Sequence, residues 1–223
     1  MNPFKAFLFD LNGTMIDDMP YHLEVWYDIV VNTLGAELTR DEVKNNMYGK
    51  NEDLLIRVFG KNHFTTEQMN QISSDKENQY QKIYRPHLDL IPGLFPFLKD
   101  ARASQISMAI GSAAIHFNIN FVLDTLKIRH YFDAIVSADD VILSKPHPET
   151  FLKAAQKLNV APSDCLVFED TPKGVECAEN AGMKAIVLTT THEQSEFKRY
   201  GNILRFVKNY TELLDQDRII LEV

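Results

Sequence analysis

The chain has 223 residues, of which 45% are hydrophobic and 24% charged, and its formal net charge at pH 7 is −8. This composition is typical of a globular protein with one core domain and room for an insertion. The negative charge speaks against a nucleic acid partner, since phosphate backbones require basic surfaces. No apolar run reaches the roughly 18 residues of a membrane span, and no signal sequence precedes the first predicted strand. We therefore expect a cytoplasmic protein without a membrane partner, and we separately predict that it is a monomer.

The first predicted strand, residues 4–9, is mostly apolar and ends directly in Asp10, which is followed by a Gly13-Thr14 turn. A carboxylate in this position lies at the C-terminal end of a strand, where open α/β sheets bind their ligands. Asp10 is therefore a candidate nucleophile or metal ligand. Taken alone, the pattern also suits a turn-forming aspartate that hydrogen-bonds with its own backbone.

Helical patterns without strand character follow the first strand and continue over residues 15–91. Thr39 and Glu42 match a capping box at the start of one of these helices. Proline and glycine residues interrupt helicity where the block ends. The block is predicted to be a helical cap (15–91) inserted into an α/β core that consists of residues 1–14 and 92–223.

From residue 93 onward, predicted strands and helices alternate. The predicted strands lie at residues 106–110, 134–136, 165–168, 184–189 and 203–207. This alternation predicts βαβ units and therefore a parallel sheet covered by helices. The last strand is expected at an edge of the sheet, and residues 210–214 are expected to form a closing helix.

Three further strand ends carry polar side chains. Ser112 lies in a small-residue turn that is predicted to open a helix, and Lys145 precedes two prolines that start the next one. Glu169 and Asp170 follow another apolar strand. Together with Asp10 they supply negatively charged carboxylates, a positively charged ammonium and a hydroxyl at junctions between strands and helices. Each also has a simpler interpretation, since Ser112, Glu169 and Asp170 could only cap helices and Lys145 could be a solvated surface charge.

The order and the amino-acid sequences of these segments resemble those of the haloacid dehalogenase superfamily, and within it those of the beta-phosphoglucomutase-like phosphatases. The segments that carry the resemblance are FLFDLNGT, AIGS, SKPHPE and VFEDTPKGVECAENAG. The resemblance implies an α/β fold with a Rossmann-like parallel sheet core and an inserted all-helical cap domain. It also implies Mg²⁺ as the cofactor and a small phosphorylated substrate.

The same resemblance implies roles for individual residues. Asp10 corresponds to the nucleophile that becomes an aspartyl phosphate, and Ser112 and Lys145 to the groups that hold the transferring phosphoryl group. Mg²⁺ would be held by Asp10 and Asp170, with Glu169 nearby. The other implied positions are the Asn12 backbone carbonyl as a further metal ligand and Asn118 as a residue that orients the substrate phosphate.

One position departs from the family pattern. The family's phosphatases and mutases carry an aspartate two residues after the nucleophile as general acid and base, and this chain has Asn12 there. Asn has nearly the same shape but cannot exchange a proton at neutral pH. Loss of this proton carrier lowers rates by roughly 10²–10⁴-fold, so we expect impaired turnover. Asn12 is consistent with two interpretations, a slow or repurposed native enzyme and a deliberately disabled variant.

Four cap residues are candidates for substrate binding. His22 matches a histidine that orients the leaving group in related mutases, although a core or surface histidine gives the same pattern. Gly49 and Lys50 lie in a segment that resembles the family's substrate-specificity loop. Mutases usually place an arginine in this loop, whereas this chain has Glu52 at the aligned position. Lys50 could take the place of the missing arginine. Lys76 is either a further phosphate contact or a solvated charge.

The sequence therefore predicts a Mg²⁺-dependent phosphatase or phosphohexomutase that acts on a small phosphorylated metabolite. A haloacid dehalogenase-type hydrolase is an alternative, because such enzymes need no Mg²⁺ and no acidic residue at position 12, but the Glu169-Asp170 pair speaks against it. A third interpretation is a non-catalytic protein that binds a phosphate ligand and has lost its proton carrier.

Overall fold

The computed structural model describes residues 4–216 and 218–219. The chain divides into two compact units, a larger one made of residues 1–17 with 89–223 and a smaller one made of residues 18–88.

The segments on both sides of the smaller unit differ from the boundaries expected from the sequence. Residues 15–17 and 89–91 belong to the larger unit rather than to the cap. The two segments are joined by a backbone hydrogen bond from the Ile91 N–H to the Met15 carbonyl at 2.9 Å. Proline and glycine residues in the sequence indicated where helicity ends, but they could not indicate this backbone hydrogen bond.

The regular secondary structure of the smaller unit, residues 18–88, is helical. Its helices are α1 (Met19–Tyr27), α2 (Arg40–Asn46), α3 (Asn51–Phe59) and α4 (Thr66–Tyr84), with a π-helical segment, Asp28–Thr33, directly after α1. The predicted capping box forms at α2, where the Glu42 carboxylate accepts from the Thr39 N–H at 2.8 Å and the Thr39 hydroxyl accepts from the Glu42 N–H at 3.3 Å.

A six-stranded parallel sheet forms the centre of the larger unit. Its strands are β1 (Ala6–Phe9), β2 (Ser107–Gly111), β3 (Ala134–Val136), β4 (Cys165–Glu169), β5 (Lys184–Leu188) and β6 (Ile203–Val207). The spatial order is β3-β2-β1-β4-β5-β6, and every neighbouring pair is parallel. This is the Rossmann-like order, with β1 and β4 at the centre and β6 at an edge as predicted. The C-terminal ends of all six strands therefore meet at one end of the sheet.

The described part of the larger unit also contains four α-helices: α5 (Leu94–Ala103), α6 (His116–Thr125), α7 (Glu149–Leu158) and α8 (Pro172–Asn180). A short antiparallel pair, β7 (Leu214–Asp215) and β8 (Arg218–Ile219), follows a 3₁₀ turn at Tyr210–Leu213, where a closing helix was predicted. Among the described residues, no helix is both long enough and apolar enough to cross a bilayer.

The start of α6 and the N-cap of α8 differ from the sequence predictions. Ser112 does not open α6, because its N–H donates to the Val136 carbonyl at 3.0 Å and so continues the pairing of β2 with β3. The helix begins four residues later, after Ile115 as N-cap. At α8 the N-cap is Thr171, so neither Glu169 nor Asp170 serves as the cap. The polar side chains at these strand ends are therefore left for other contacts.

Central strands of the sheet are buried on both faces, which explains their nearly continuous apolar sequences. On one face, Phe7 and Phe9 of β1 pack with aromatic rings from β4, α5 and the 3₁₀ turn after β6. The opposite face is built from smaller side chains around Phe151 of α7. This packing fixes the end of β1, and with it the position of the next residue, Asp10.

Candidate active site

Asp10 follows β1 at the C-terminal end of the sheet, where its N–H donates to the Phe168 carbonyl at 3.0 Å. Its Oδ1 accepts a hydrogen bond from Lys145 Nζ at 2.7 Å, and the Ser112 hydroxyl is a second partner of the carboxylate. Burial has the largest effect on the pKa of Asp10 and, with repulsion from Glu169, raises it to about 6 against the opposing effects of Lys145 and Ser112. These two partners therefore help to keep the buried carboxylate ionised at neutral pH.

Lys145 is buried between two carboxylates. Its Nζ lies 2.7 Å from Asp10 Oδ1 and 2.7 Å from Glu169 Oε1, and it stands 4.6 Å from the centre of the Phe151 ring. Burial alone would lower the pKa of Lys145, but attraction to Asp10 and Glu169 outweighs it and raises the pKa. The lysine is therefore a fixed positive charge, and the solvated interpretation of Lys145 is wrong.

The loop before Lys145 is held by a side chain that the sequence analysis did not single out. The Glu149 carboxylate accepts hydrogen bonds from the N–H groups of Ile142 at 3.2 Å and Leu143 at 3.0 Å. Lys153, one turn further along α7, lies 2.6 Å from Glu149. The SKPHPE segment thus carries both Lys145 and an anchor for its loop, and an acidic residue in the first turn of a helix was the available signal.

Glu169 connects Lys145 to the start of α8. While Oε1 contacts Lys145, Oε2 accepts from the N–H groups of Asp170 and Thr171, each at 2.9 Å, and from the Thr171 hydroxyl at 3.0 Å. A side chain at Gly174 would collide with this carboxylate, because its Cβ would lie 1.7 Å from Oε1. Both oxygens of Glu169 are therefore engaged by protein donors.

Asp170 is almost completely buried, and hydroxyl groups hold both of its carboxylate oxygens. Thr14 Oγ1 donates to Oδ1 at 3.0 Å, and Thr191 Oγ1 donates to Oδ2. Burial, followed by repulsion from Glu169 and from Asp10, raises the pKa of Asp170 well above its usual range. Three carboxylates thus repel one another at the end of the sheet.

The loop after β5 closes this site from a direction that the sequence analysis missed. Thr190 Oγ1 donates to the Gly13 carbonyl at 2.5 Å, and the neighbouring Thr191 reaches Asp170. Gly13 has a φ of +75°, and a Cβ there would lie 2.2 Å from Asp170 Oδ2. Three consecutive threonines at the end of a predicted strand were the signal for these contacts.

Two other predicted residues lie in segments of the larger unit. The backbone of Asn12 pairs with Ile16 in an isolated β-bridge directly after Asp10. Asn118 is buried in the first turn of α6, and its N–H donates to the Ile115 carbonyl at 3.1 Å. The contacts described above join Asp10, Ser112, Lys145, Glu169 and Asp170.

The smaller unit contains its own buried polar cluster. Lys76 Nζ lies 2.7 Å from His22 Nδ1 and 3.0 Å from Glu77 Oε1, while His22 Nε2 lies 3.3 Å from Asp18 Oδ2. The His22 ring stacks on Tyr80 with a centroid distance of 3.8 Å. Lys76 is only 3% exposed, so its interpretation as a solvated charge is wrong. Burial lowers its pKa, and Glu77 and Asp18 oppose that effect.

Gly49 and Lys50 form the turn that leads into α3. Gly49 has a φ of +74°, and the Lys50 N–H donates to Asp53 Oδ2 at 3.1 Å. Arg57 contacts the same turn, because its Nη2 donates to the Tyr48 carbonyl at 2.5 Å and its guanidinium carbon lies 3.7 Å from the centre of the Tyr48 ring. The turn is therefore fixed by side chains of α3.

The chemistry of the donor atoms bears on whether a metal ion fits. Within the described residues, no group of three or more His, Cys, Asp or Glu side chains is arranged to hold a metal. A metal would therefore need oxygen atoms from water, phosphate or the backbone in addition to Asp10 and Asp170. Mg²⁺ is commonly bound in this way, through one or two carboxylates with retained waters and a substrate phosphate. The excess of buried carboxylate over the charge of Lys145 suits such a cation.

Comparisons with known proteins identify the family of this chain. Residues 7–188 match the model of the family described as haloacid dehalogenase-like hydrolase. A beta-phosphoglucomutase of Bacillus subtilis is 31% identical over 188 residues, covering 82% of each chain. The fructose-1-phosphate phosphatase YqaB of Escherichia coli is 29% identical over 196 residues, covering 82% of this chain and 95% of that protein.

Solved structures show the same architecture. A crystal structure of a beta-phosphoglucomutase from Clostridium difficile gives a TM-score of 0.83 at 26% identity and covers 96% of this chain and 94% of its own. A family IA hydrolase from Entamoeba histolytica gives a TM-score of 0.85 at 26% identity, with 96% and 97% covered. The fold, the family match and the similar enzymes lead to one conclusion: this chain belongs to the haloacid dehalogenase-like hydrolases.

Proposed function

We propose that this protein is a Mg²⁺-dependent phosphatase or phosphohexomutase that acts on a small phosphorylated sugar through an aspartyl-phosphate intermediate. The observation that carries the proposal is the buried Asp10 carboxylate, held by Lys145 at 2.7 Å and by Ser112 at the end of the sheet. Relatives named as a beta-phosphoglucomutase and a fructose-1-phosphate phosphatase support the substrate class.

Asp10 would attack the phosphorus atom in line, forming a bond between its carboxylate oxygen and phosphorus while the bond to the sugar oxygen breaks. The Lys145 ammonium and the Ser112 hydroxyl would then stabilise the negative charge on the equatorial phosphoryl oxygens. Glu169 would act through Lys145, because it holds the ammonium in place beside Asp10. We propose Asn118 as a further contact to the substrate phosphate.

The residues proposed to hold Mg²⁺ are the Asp10 and Asp170 side chains and the Asn12 backbone carbonyl. When bound, Mg²⁺ supplies positive charge to the phosphoryl oxygens and offsets the repulsion between the two carboxylates. Glu169 is a weaker candidate than the sequence suggested, since its Oε1 contacts the Lys145 ammonium at 2.7 Å and its Oε2 already accepts from three donors. We therefore assign Glu169 a supporting role beside the metal site.

Asn12 would limit both halves of the reaction. An amide cannot protonate the departing sugar oxygen, and it cannot remove a proton from the water that hydrolyses the aspartyl phosphate. The proposed enzyme is therefore slow on alkyl phosphates. The same residue keeps a second function under consideration, a protein that binds a phosphorylated ligand without turning it over.

Within the helical unit we propose His22, Gly49, Lys50 and Lys76 as the residues that select the substrate. The buried pair of His22 and Lys76 and the fixed turn before α3 are the features that support this assignment. A monomer without nucleic acid or membrane partners completes the proposal.

The test is a screen of phosphate esters with and without Mg²⁺, using the native chain and Asp10→Asn. We expect Mg²⁺-dependent phosphate release from sugar phosphates or their aryl analogues by the native chain, and none by the variant. Activity that survives Asp10→Asn would overturn the proposal. Ligand binding without turnover would support the binding function, and Mg²⁺-independent halide release from a 2-haloacid would support the dehalogenase alternative.

A further inference from the structure

The loop after β5 contacts both of the segments that carry the proposed metal ligands. Thr190 Oγ1 donates to the Gly13 carbonyl at 2.5 Å, on the segment that begins at Asp10. Thr191 Oγ1 donates to the Asp170 side chain and lies 3.3 Å from the Asp170 carbonyl oxygen. Two adjacent hydroxyl groups therefore join the segment after β1 to the segment after β4.

The contact with Asp170 leaves room for a cation. A carboxylate offers about four lone-pair sites, two on each oxygen. Thr191 uses one site on Oδ2 and Thr14 uses one on Oδ1, so each oxygen keeps a site that can face a metal ion. The two hydroxyl groups restrict rotation of the buried carboxylate, and they leave both of its oxygens able to bind a metal ion. Groups that orient metal ligands in this way commonly determine how tightly the metal binds.

We infer that Thr191 is a positioning residue for the Mg²⁺ site, and that Thr190 and Thr191 together fix the spacing between the Asp10 segment and Asp170. The inference rests on the proposed function, because it takes Asp170 to be a metal ligand. It extends that function by assigning the site a support from the loop after β5, which contributes none of the proposed metal ligands. Thr191 touches neither the phosphorus nor the leaving group in this role.

The chain offers well-matched variants. Thr191→Val keeps the shape of the side chain and removes the hydroxyl, whereas Thr191→Ser keeps the hydroxyl. Thr189→Val removes a neighbouring hydroxyl of the same loop that contacts the Val207 carbonyl at 3.4 Å instead of the site. Asp170→Ala tests the metal ligand itself. Thermal unfolding of each variant reports whether the fold is retained.

The measurement is the Kd of Mg²⁺, determined by calorimetry on metal-free protein without substrate. Loss of an outer partner of a metal ligand typically weakens binding by about 10–100-fold, and we expect this loss for Thr191→Val. Thr191→Ser and Thr189→Val should bind Mg²⁺ nearly as tightly as the native chain. Native affinity in Thr191→Val would overturn the inference, as would equal losses in Thr191→Val and Thr191→Ser.

Thr190→Val provides a second measurement that does not depend on the folding of a Thr191 variant. It leaves both hydroxyl donors of Asp170 in place but releases the Gly13 carbonyl, so we expect a smaller loss of Mg²⁺ affinity. Native affinity in Thr190→Val would contradict the joint role of the two hydroxyls. Unchanged affinity in Asp170→Ala would overturn the proposed metal site as well, whereas a loss there with none in Thr191→Val would overturn this inference alone.

Discussion

Lys145 Nζ lies 2.7 Å from Asp10 Oδ1, and the two side chains are only 8% and 10% exposed. Removing one member of a buried ion pair is strongly destabilising, because the other charge then stays buried without an opposite charge beside it. Here the same ammonium also neutralises Glu169 at 2.7 Å. Lys145 therefore has two effects: it neutralises buried negative charge in the fold, and it favours the ionised form of Asp10, the proposed nucleophile.

Lys145→Met should lower the free energy of unfolding by about 3–5 kcal/mol at neutral pH, because two buried carboxylates lose their cation. The measurement is urea unfolding at constant Mg²⁺. Lys157→Met is the control, since Lys157 is 46% exposed and lies 4.0 Å from Asp140. Pairs at such exposed sites contribute about 0–1 kcal/mol. Equal losses in the two variants would contradict the importance assigned to the buried pair.

Stability in the absence of metal should fall as the pH rises. Burial raises the pKa of Asp10 to about 6, and that of Asp170 is also raised. A carboxylate with a raised pKa in the folded state contributes stability that is fully present below its unfolded pKa and is lost as pH rises through the folded value. The melting temperature of the metal-free protein should therefore decrease from about pH 5 to about pH 7.5.

Mg²⁺ should reverse this penalty, because it favours the ionised carboxylates. We expect the increase in melting temperature produced by Mg²⁺ to be larger at about pH 7.5 than at about pH 5, where protons compete with the metal. Thermal unfolding with Mg²⁺ and with a chelator provides the comparison. Asp170→Asn should reduce the Mg²⁺ effect at the higher pH. A Mg²⁺ effect that is independent of pH would contradict this account.

Much of the larger unit could be predicted from the sequence, because parallel strands buried on both faces read as short apolar runs between helical patterns. The parallel sheet and the edge position of β6 are confirmed. Asp10 and Glu169 could be placed together because the C-terminal ends of parallel strands meet, whereas Lys145 lies in the loop between β3 and α7 and reaches them through its long side chain.

Other features depend on tertiary contacts that a single sequence does not report. Lys76 lies in a polar helix, and only the packing of His22 and Glu77 around it reveals that it is buried. Consecutive threonines at the end of β5 mark a polar loop in the sequence, but only the fold shows that the hydroxyls of Thr190 and Thr191 reach Gly13 and Asp170.

Gly13→Ala should damage the site more than its backbone conformation alone explains. Gly13 has a φ of +75°, and its Cβ would lie 2.2 Å from Asp170 Oδ2. Gly35 has a φ of +77° with no atom within 4 Å of its Cβ position, so Gly35→Ala isolates the backbone strain. That strain is about 1–2 kcal/mol.

We expect Gly13→Ala to lose clearly more stability than Gly35→Ala, and also to weaken Mg²⁺ binding, because the methyl group displaces the Asp170 carboxylate. Urea unfolding and calorimetry measure the two effects. Equal stability of the two variants, with native Mg²⁺ affinity in Gly13→Ala, would show that Asp170 moves aside at no cost.

Asn12→Asp has the sharpest expected consequence for activity. The variant restores a group that can protonate a departing alkoxide and activate water, so turnover of sugar phosphates should rise by about 10²–10⁴-fold. Aryl phosphates have leaving groups that need no proton, and their turnover should rise less. Steady-state rates on one ester of each class, measured for both chains at saturating Mg²⁺, give the comparison.

Asn12→Gln is the control, because it changes the side chain without adding a proton carrier, and it should give no gain on either ester. Rapid acid quench adds a direct readout: the native chain should accumulate aspartyl phosphate on Asp10 when an aryl phosphate is supplied, and Asn12→Asp should not, since hydrolysis of the intermediate is then fast. Brisk native turnover of a sugar phosphate, with no gain in Asn12→Asp, would show that another group carries the proton. His22 is then the first residue to substitute.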